Sequence, residues 1–139
     1  MAELSSHVDH FLFTQLHSQE VAERMKMVTA IIQPSRLEVV KNILGTEGIT
    51  GITVSDARGV GRQRGRTEIY RGHEYKVDLI PKVKLEIAVE QAHVDRVIDA
   101  IVKGARSGPE GKIGDGKIFV TPLEEVVRIR TGELGAAAL

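Results

Sequence analysis

Hydrophobic and polar positions alternate regularly from Met25 onward. Met25, Met27, Thr29 and Ile31 interleave with Lys26, Val28, Ala30 and Ile32, which predicts a strand apolar on both faces, as in the middle of a covered sheet. Pro34 ends that run. Ser35 with Glu38 three residues on is a capping-box signature, and Leu37, Val40, Ile43 and Leu44 supply the apolar stripe of a helix that Gly48 can close. A second strand is predicted at about residues 51–58. A third follows where Val83, Leu85, Ile87 and Val89 alternate with Lys82, Lys84, Glu86 and Ala88. Val94, Val97, Ile98, Ile101 and Val102 mark a second helix, a fourth strand is expected near 117–120, and a short last one near 126–130. The order βαββαβ predicts an α+β fold, a ferredoxin-like sandwich.

Composition narrows the possibilities. A chain of 139 residues, 42% hydrophobic and 27% charged, is the size of one folding unit. Nineteen basic residues balance nineteen acidic ones, so the broad positive field used in non-specific nucleic-acid binding is absent. No cysteine is present, which excludes disulfide frameworks and cysteine-held metals and fits a reducing compartment. No apolar run approaches the roughly 18 residues of a membrane span, so a soluble, cytoplasmic protein is expected.

Residues 1–24 read as an N-terminal extension, either an added element or an upstream start and either a short helix or disordered, ahead of a domain at 25–139. Val8, Phe11, Leu12 and Leu16 recur at helical spacing and suggest a short amphipathic helix, while Glu3 and the broken apolar run argue against a secretory signal. His7, His10 and His17 fall near one face of that helix. Without a carboxylate or cysteine at matching spacing, a solvated or partner-facing surface is the better reading than a metal site.

Two glycine-rich basic stretches carry the candidate chemistry: GVGRQRGR from Gly59 and EGKIGDGK from Glu110. Glycines let a backbone turn its N–H groups toward an anion at close range, and Lys and Arg supply the compensating charge, so the pair points to phosphate binding. Asp115-Gly116 between Ile113 and Ile118 is also a hairpin-turn signal, which gives the second stretch a purely structural alternative. Arg128 and Arg130 tilt the balance: at i, i+2 on a strand they would share one face about 7 Å apart and could grip a polyphosphate. No P-loop sequence, serine–histidine set or paired carboxylates accompany them. Between the second and third strands, residues 59–81 form a polar connection far longer than a hairpin turn, and such connections in compact domains are commonly functional. Tyr70 and Tyr75 lie in it with little apolar company, as partner anchors or modification targets, or folded back on the domain.

These motifs, MKMVTAIIQP, GVGRQRGRTEIYRGHEY, IPKVKLEI, KIGDGKIFVTP and VVRIRTGE in this order, resemble the nitrogen regulatory PII signal-transduction family from Met25 to about Glu133. The resemblance implies a homotrimer of ferredoxin-like subunits with ATP or ADP in the clefts between neighbours. The long connection corresponds to a protruding T-loop that contacts target proteins. By position, it implies nucleotide contacts at Thr53, Gly59, Gly61, Arg62, Glu86, Ala88, Gly114, Asp115, Gly116 and Lys117, with Arg128 and Arg130 reaching the phosphates across the subunit boundary. It further implies that 2-oxoglutarate binds a Mg2+ held by the ATP phosphates, with Gln63 ligating the metal and Lys82 meeting the ligand's far carboxylate. Tyr75 matches the tyrosine that many members have nucleotidylylated. The partners implied are an ammonium transporter, a nucleotidyltransferase, and enzymes or kinases of nitrogen assimilation. His73 stands where the family usually has Ala or Ser, and Pro109-Glu110-Gly111 looks like an insertion between Ser107-Gly108 and Lys112, separating the usual serine or threonine from the loop it serves. The expected function is therefore a non-catalytic sensor of adenylate charge and 2-oxoglutarate. An enzyme would require a positioned base, and a ferredoxin-like nucleic-acid binder would require aromatics on exposed strands, where only 4% of residues are aromatic.

Overall fold

The alternation at Met25–Ile32 becomes strand β1, and its two faces meet different surroundings. The computed structural model describes residues 24–61, 67–70, 72–76 and 79–139. The expected N-terminal helix with its histidines, and the site positions Arg62 and Gln63, lie outside them. Val28, Ala30 and Ile32 are fully buried beneath the helices, whereas Met27, Thr29 and Ile31 face the opposite side and stay partly accessible. A 3-10 turn at Pro34–Arg36 leads into helix α1 (Leu37–Thr46), then come β2 (Thr53–Gly59), β3 (Thr67–Tyr70), β4 (His73–Lys76), β5 (Ile80–Glu90), α2 (Val94–Ala105) and β6 (Gly116–Pro122).

The main sheet has the order β2-β5-β1-β6 with every pairing antiparallel, the arrangement of a ferredoxin-like α+β fold. Both helices pack on one face. Val40 and Leu44 of α1, and Val97, Ala100 and Ile101 of α2, close over Leu85 and Ile87 of β5 to make one apolar core. The helices approach closely at Gly104, where an added Cβ would lie 2.8 Å from Val40 Cγ2 and 3.1 Å from Val40 Cα.

Local signals were realised unevenly. Gly48, at φ +80°, closes α1: Ile49 N–H donates to the Leu44 carbonyl at 2.9 Å and Gly48 N–H to Gly45 at 3.0 Å, the paired bonds of a Schellman end. The expected Ser35–Glu38 capping box does not form. Pro34 begins a 3-10 turn that takes in Ser35, no side chain caps α1, and Glu38 pairs instead with Lys41 at 3.2 Å. The long connection contains its own antiparallel hairpin, with Thr67 opposite Lys76 and Tyr70 opposite His73. The strand expected at 126–130 is replaced by a tight turn, because the chain doubles back before it can pair along its length. Only Val127 and Leu134 bridge, and Arg128 N–H donates to Glu133 while Gly132 N–H returns to Arg128.

Candidate functional site

β2 and β5 run side by side to one end of the sheet, where Gly59 stands opposite Ile80 and Ala57 opposite Lys82. β1 ends beside them, and β6 begins at Gly116 opposite Ile32. The two glycine-rich stretches, some 50 residues apart in sequence, are therefore delivered to the same edge. Between them lies a cavity of about 560 Å³ lined by Gly59, Val60, Gly61, Lys82, Gly114, Gly116 and Lys117, with Ile31, Ile80 and Phe119 as its apolar wall. Six of the positions expected to contact ligand thus share one cavity.

Its rim is tightly built. Gly116 sits at φ +114°, and a Cβ there would come 1.7 Å from the Ile31 carbonyl oxygen, so only glycine lets β6 enter the sheet at this point. Asp115-Gly116 is consequently a close backbone approach to β1 and not the hairpin turn that the dipeptide suggests. Lys82 Nζ donates to the Gly114 carbonyl at 2.7 Å, tying β5 to the loop. Burial lowers the Lys82 pKa from 10.5, opposed in part by the nearby Asp115 charge. Asp115 itself accepts from the Ser107 hydroxyl at 2.6 Å, the Ser107 N–H at 2.9 Å and the Lys112 N–H at 2.9 Å. The Ser107 hydroxyl bond and then its amide bond hold this carboxyl down at about 2, aided by the Lys112 amide and the Arg36 charge and opposed by burial. Ser107 thus reaches the loop across the Pro109-Glu110-Gly111 segment.

The remaining expected residues fall elsewhere. Thr53 and Glu86 are direct cross-strand partners, with Ala88 two residues farther along β5 on the same face as Lys82. Glu86 is four residues from Lys82, about 13 Å along the strand, and lies 3.6 Å from the Lys84 ammonium. Arg128 is engaged by Glu133 Oε1 at 3.0 Å and by the Leu139 main-chain oxygen at 3.0 Å, while Arg130 lies in the turn, so the two do not form a strand-face pair. Tyr75 lies in β4 opposite Glu68. Among the described residues no group of three or more His, Asp or Glu side chains could hold a metal ion. With Lys82 and Lys117 at the cavity, the donor set suits a metal that arrives chelated by an anion better than a bare dication. The apolar wall of Ile31, Ile80 and Phe119 has no signal in the sequence around either glycine-rich stretch, since only tertiary folding brings it to the cavity.

The described residues thus form a ferredoxin-like domain with a glycine-lined cavity, bearing Lys82 and Lys117, at one end of its open sheet face. The nitrogen regulatory protein P-II family profile matches residues 25–133. The nitrogen regulatory protein P-II of Azospirillum brasilense is 57% identical over 115 residues, 83% of this chain and all of the relative. GlnK, a nitrogen regulatory protein of Escherichia coli K12, is 52% identical over the same shares. The crystal structure of Arabidopsis thaliana PII bound to citrate superposes with a TM-score of 0.68 at 41% identity, covering 84% of this chain and 94% of that one. The chain belongs to the nitrogen regulatory protein P-II family. No helix among the described residues is long and apolar enough to cross a membrane.

Proposed function

We propose that this protein is a non-catalytic, trimeric, cytoplasmic sensor that reads ATP against ADP together with 2-oxoglutarate and transmits the result through the 59–81 T-loop. The observation that carries this reading is the convergence of Gly59, Gly61, Lys82, Gly114, Gly116 and Lys117 on one cavity. Backbone amides and two ammonium groups suit phosphate oxygens, and Lys82 suits a carboxylate. The Arabidopsis relative is bound to citrate, itself a polycarboxylate. Arg62 would join the phosphates, and Gln63 would ligate a Mg2+ carried by ATP and shared with 2-oxoglutarate. Thr53, Glu86 and Ala88 serve the nucleotide from farther along the sheet, with Arg128 and Arg130 of a neighbouring copy.

Assembly is supported by the sheet's uncovered face. Phe119 is 50% exposed there, and Ile129, beyond β6, is 99% exposed, apolar surface that a second copy would shield. The proposed partners are an ammonium transporter, a nucleotidyltransferase acting at Tyr75, and enzymes or kinases of nitrogen assimilation. Calorimetry with ATP, ADP and 2-oxoglutarate, singly and combined, tests the reading. ATP should raise 2-oxoglutarate affinity and 2-oxoglutarate should raise ATP affinity by the same factor, whereas ADP should not. Absence of nucleotide binding would sink it.

A further inference from the structure

We infer that Asp115 acts as a positioning residue: its carboxylate clasps Ser107 and Lys112 so that Gly114, Gly116 and Lys117 are held ready for phosphate before any ligand arrives. This rests on the nucleotide reading above. A carboxylate in a polyphosphate site is repulsive if it faces the ligand; Asp115 is not among the residues lining the cavity of Lys82 and Gly59, and borders instead the adjoining one it shares with Gly116 and Lys117. Its two oxygens are taken up by three donors that all lie on the N-terminal side of the loop.

The clasp closes a ring of the chain. Its bonds span eight residues to Ser107 and three to Lys112, so both ends of the inserted segment are tied to one side chain. Between them Gly108 and Gly111 form a turn of their own, with Gly111 N–H 3.4 Å from the Gly108 carbonyl. Gly111 lies against the clasp itself: a Cβ there would be 3.1 Å from Asp115 Oδ2 and 3.4 Å from Arg106 Cγ. The insertion therefore bulges outward from a fixed neck. On either side of Asp115, the Lys82 bond fixes the Gly114 carbonyl and strand pairing opposite Ile32 fixes Gly116. A loop held at three points gives up little conformational freedom when a phosphate arrives, and that saving appears as affinity.

Three variants of the full chain test the inference: Asp115→Asn, Ser107→Ala and Ser107→Thr. An amide in place of the carboxylate sets an NH2 group against one or more of the three donors. Asp115→Asn should weaken ATP binding by about tenfold or more, from lost preorganisation, in a chain that is less stable than wild type but still folded. Ser107→Ala should weaken it less, and Ser107→Thr, which keeps the hydroxyl, should restore it. Without ligand, the amide hydrogens of Ser107 and Lys112 should exchange slowly in wild type and fast in Asp115→Asn. Unchanged ATP affinity and unchanged exchange in a folded Asp115→Asn would overturn the inference. Should that variant fail to fold, equal ATP affinity in Ser107→Ala and Ser107→Thr overturns it. A wild type that binds no ATP defeats the nucleotide reading instead, and the amide exchange alone then decides whether the clasp exists.

Discussion

Lys82 Nζ lies 2.7 Å from the Gly114 carbonyl oxygen, a bond across 32 residues that joins β5, the strand following the long connection, to the glycine-rich loop. It places on one ammonium both an internal acceptor and the expected partner of a ligand carboxylate. An ammonium has three donors, so a carboxylate can either share Lys82 with Gly114 or displace it. In both cases occupancy at Lys82 is felt at the loop that would hold phosphate.

Replacing Lys82 by Ala should therefore do two unequal things. Loss of a desolvated carboxylate partner costs about 2–4 kcal/mol in 2-oxoglutarate affinity. ATP affinity should fall far less, since Gly114 loses one bond while Gly116 and Lys117 remain. Calorimetry of each ligand separates the two, and a full 2-oxoglutarate affinity in Lys82→Ala would remove Lys82 from the site.

The lowered pKa of Lys82 gives a pH dependence of definite sign. Because its folded value lies below 10.5, the ammonium is lost at lower pH than an ordinary lysine's. Affinity for a carboxylate should decline as pH rises through that lower value, and a titration in which it holds steady up to 10.5 would contradict the assignment. Asp115 behaves oppositely: its folded value of about 2 is below the ordinary 3.8, so the clasp contributes stability above pH 4 and loses it as pH falls through about 2. Between pH 5 and 8 melting temperature should not respond to this group.

Gly104 offers a test of the core that leaves the site alone. An Ala there gains helix propensity but drives its Cβ into the Val40 side chain and backbone, and the backbone contact cannot be relieved by a rotamer change. Destabilisation of about 1–3 kcal/mol is expected from overpacking, read by denaturant unfolding with ATP affinity unchanged. A variant as stable as wild type would mean that α1 and α2 separate more easily than their packing implies.

Much of this fold was legible because burial imposes a period. The 2-residue alternation of Val83 to Val89 and the helical spacing of Val94 to Ile101 each report a surface pressed against the core, and both appear where expected. Signals that depended on a partner from elsewhere failed. Val126 to Arg130 alternates like a strand, but a strand needs an edge to pair with, and only Val127 found one residue, Leu134. Ser35 and Glu38 have capping-box spacing, yet Pro34 had already set a tighter turn. At the site, glycine content singled out the two stretches that line one cavity. That Gly116 is required by the Ile31 carbonyl, and that Ser107 serves Asp115, follow from contacts that no local pattern encodes.

The separation between the cavity and the outlying site residues leads to a prediction about assembly. Lys117 lines the cavity, whereas Arg128 is held in the C-terminal turn by Glu133 and Leu139. If each nucleotide is bound by Lys117 of one copy and Arg128 of the next around a ring, the contact is heterologous, and two different defects can complement. Lys117→Ala and Arg128→Ala should each bind ATP poorly alone. Mixed in equal amounts through reversible unfolding, they should form some interfaces that have an intact Lys117 on one side and an intact Arg128 on the other. With random assortment about a quarter of the sites would be whole, each side being intact half the time in such a closed ring. Calorimetry on the mixture should recover that fraction of sites at wild-type affinity, with light scattering reporting a trimer throughout. Recovery of no tight sites from a properly mixed trimer would place both residues' contributions within a single chain, and the site would then have to close by movement of the C-terminal turn.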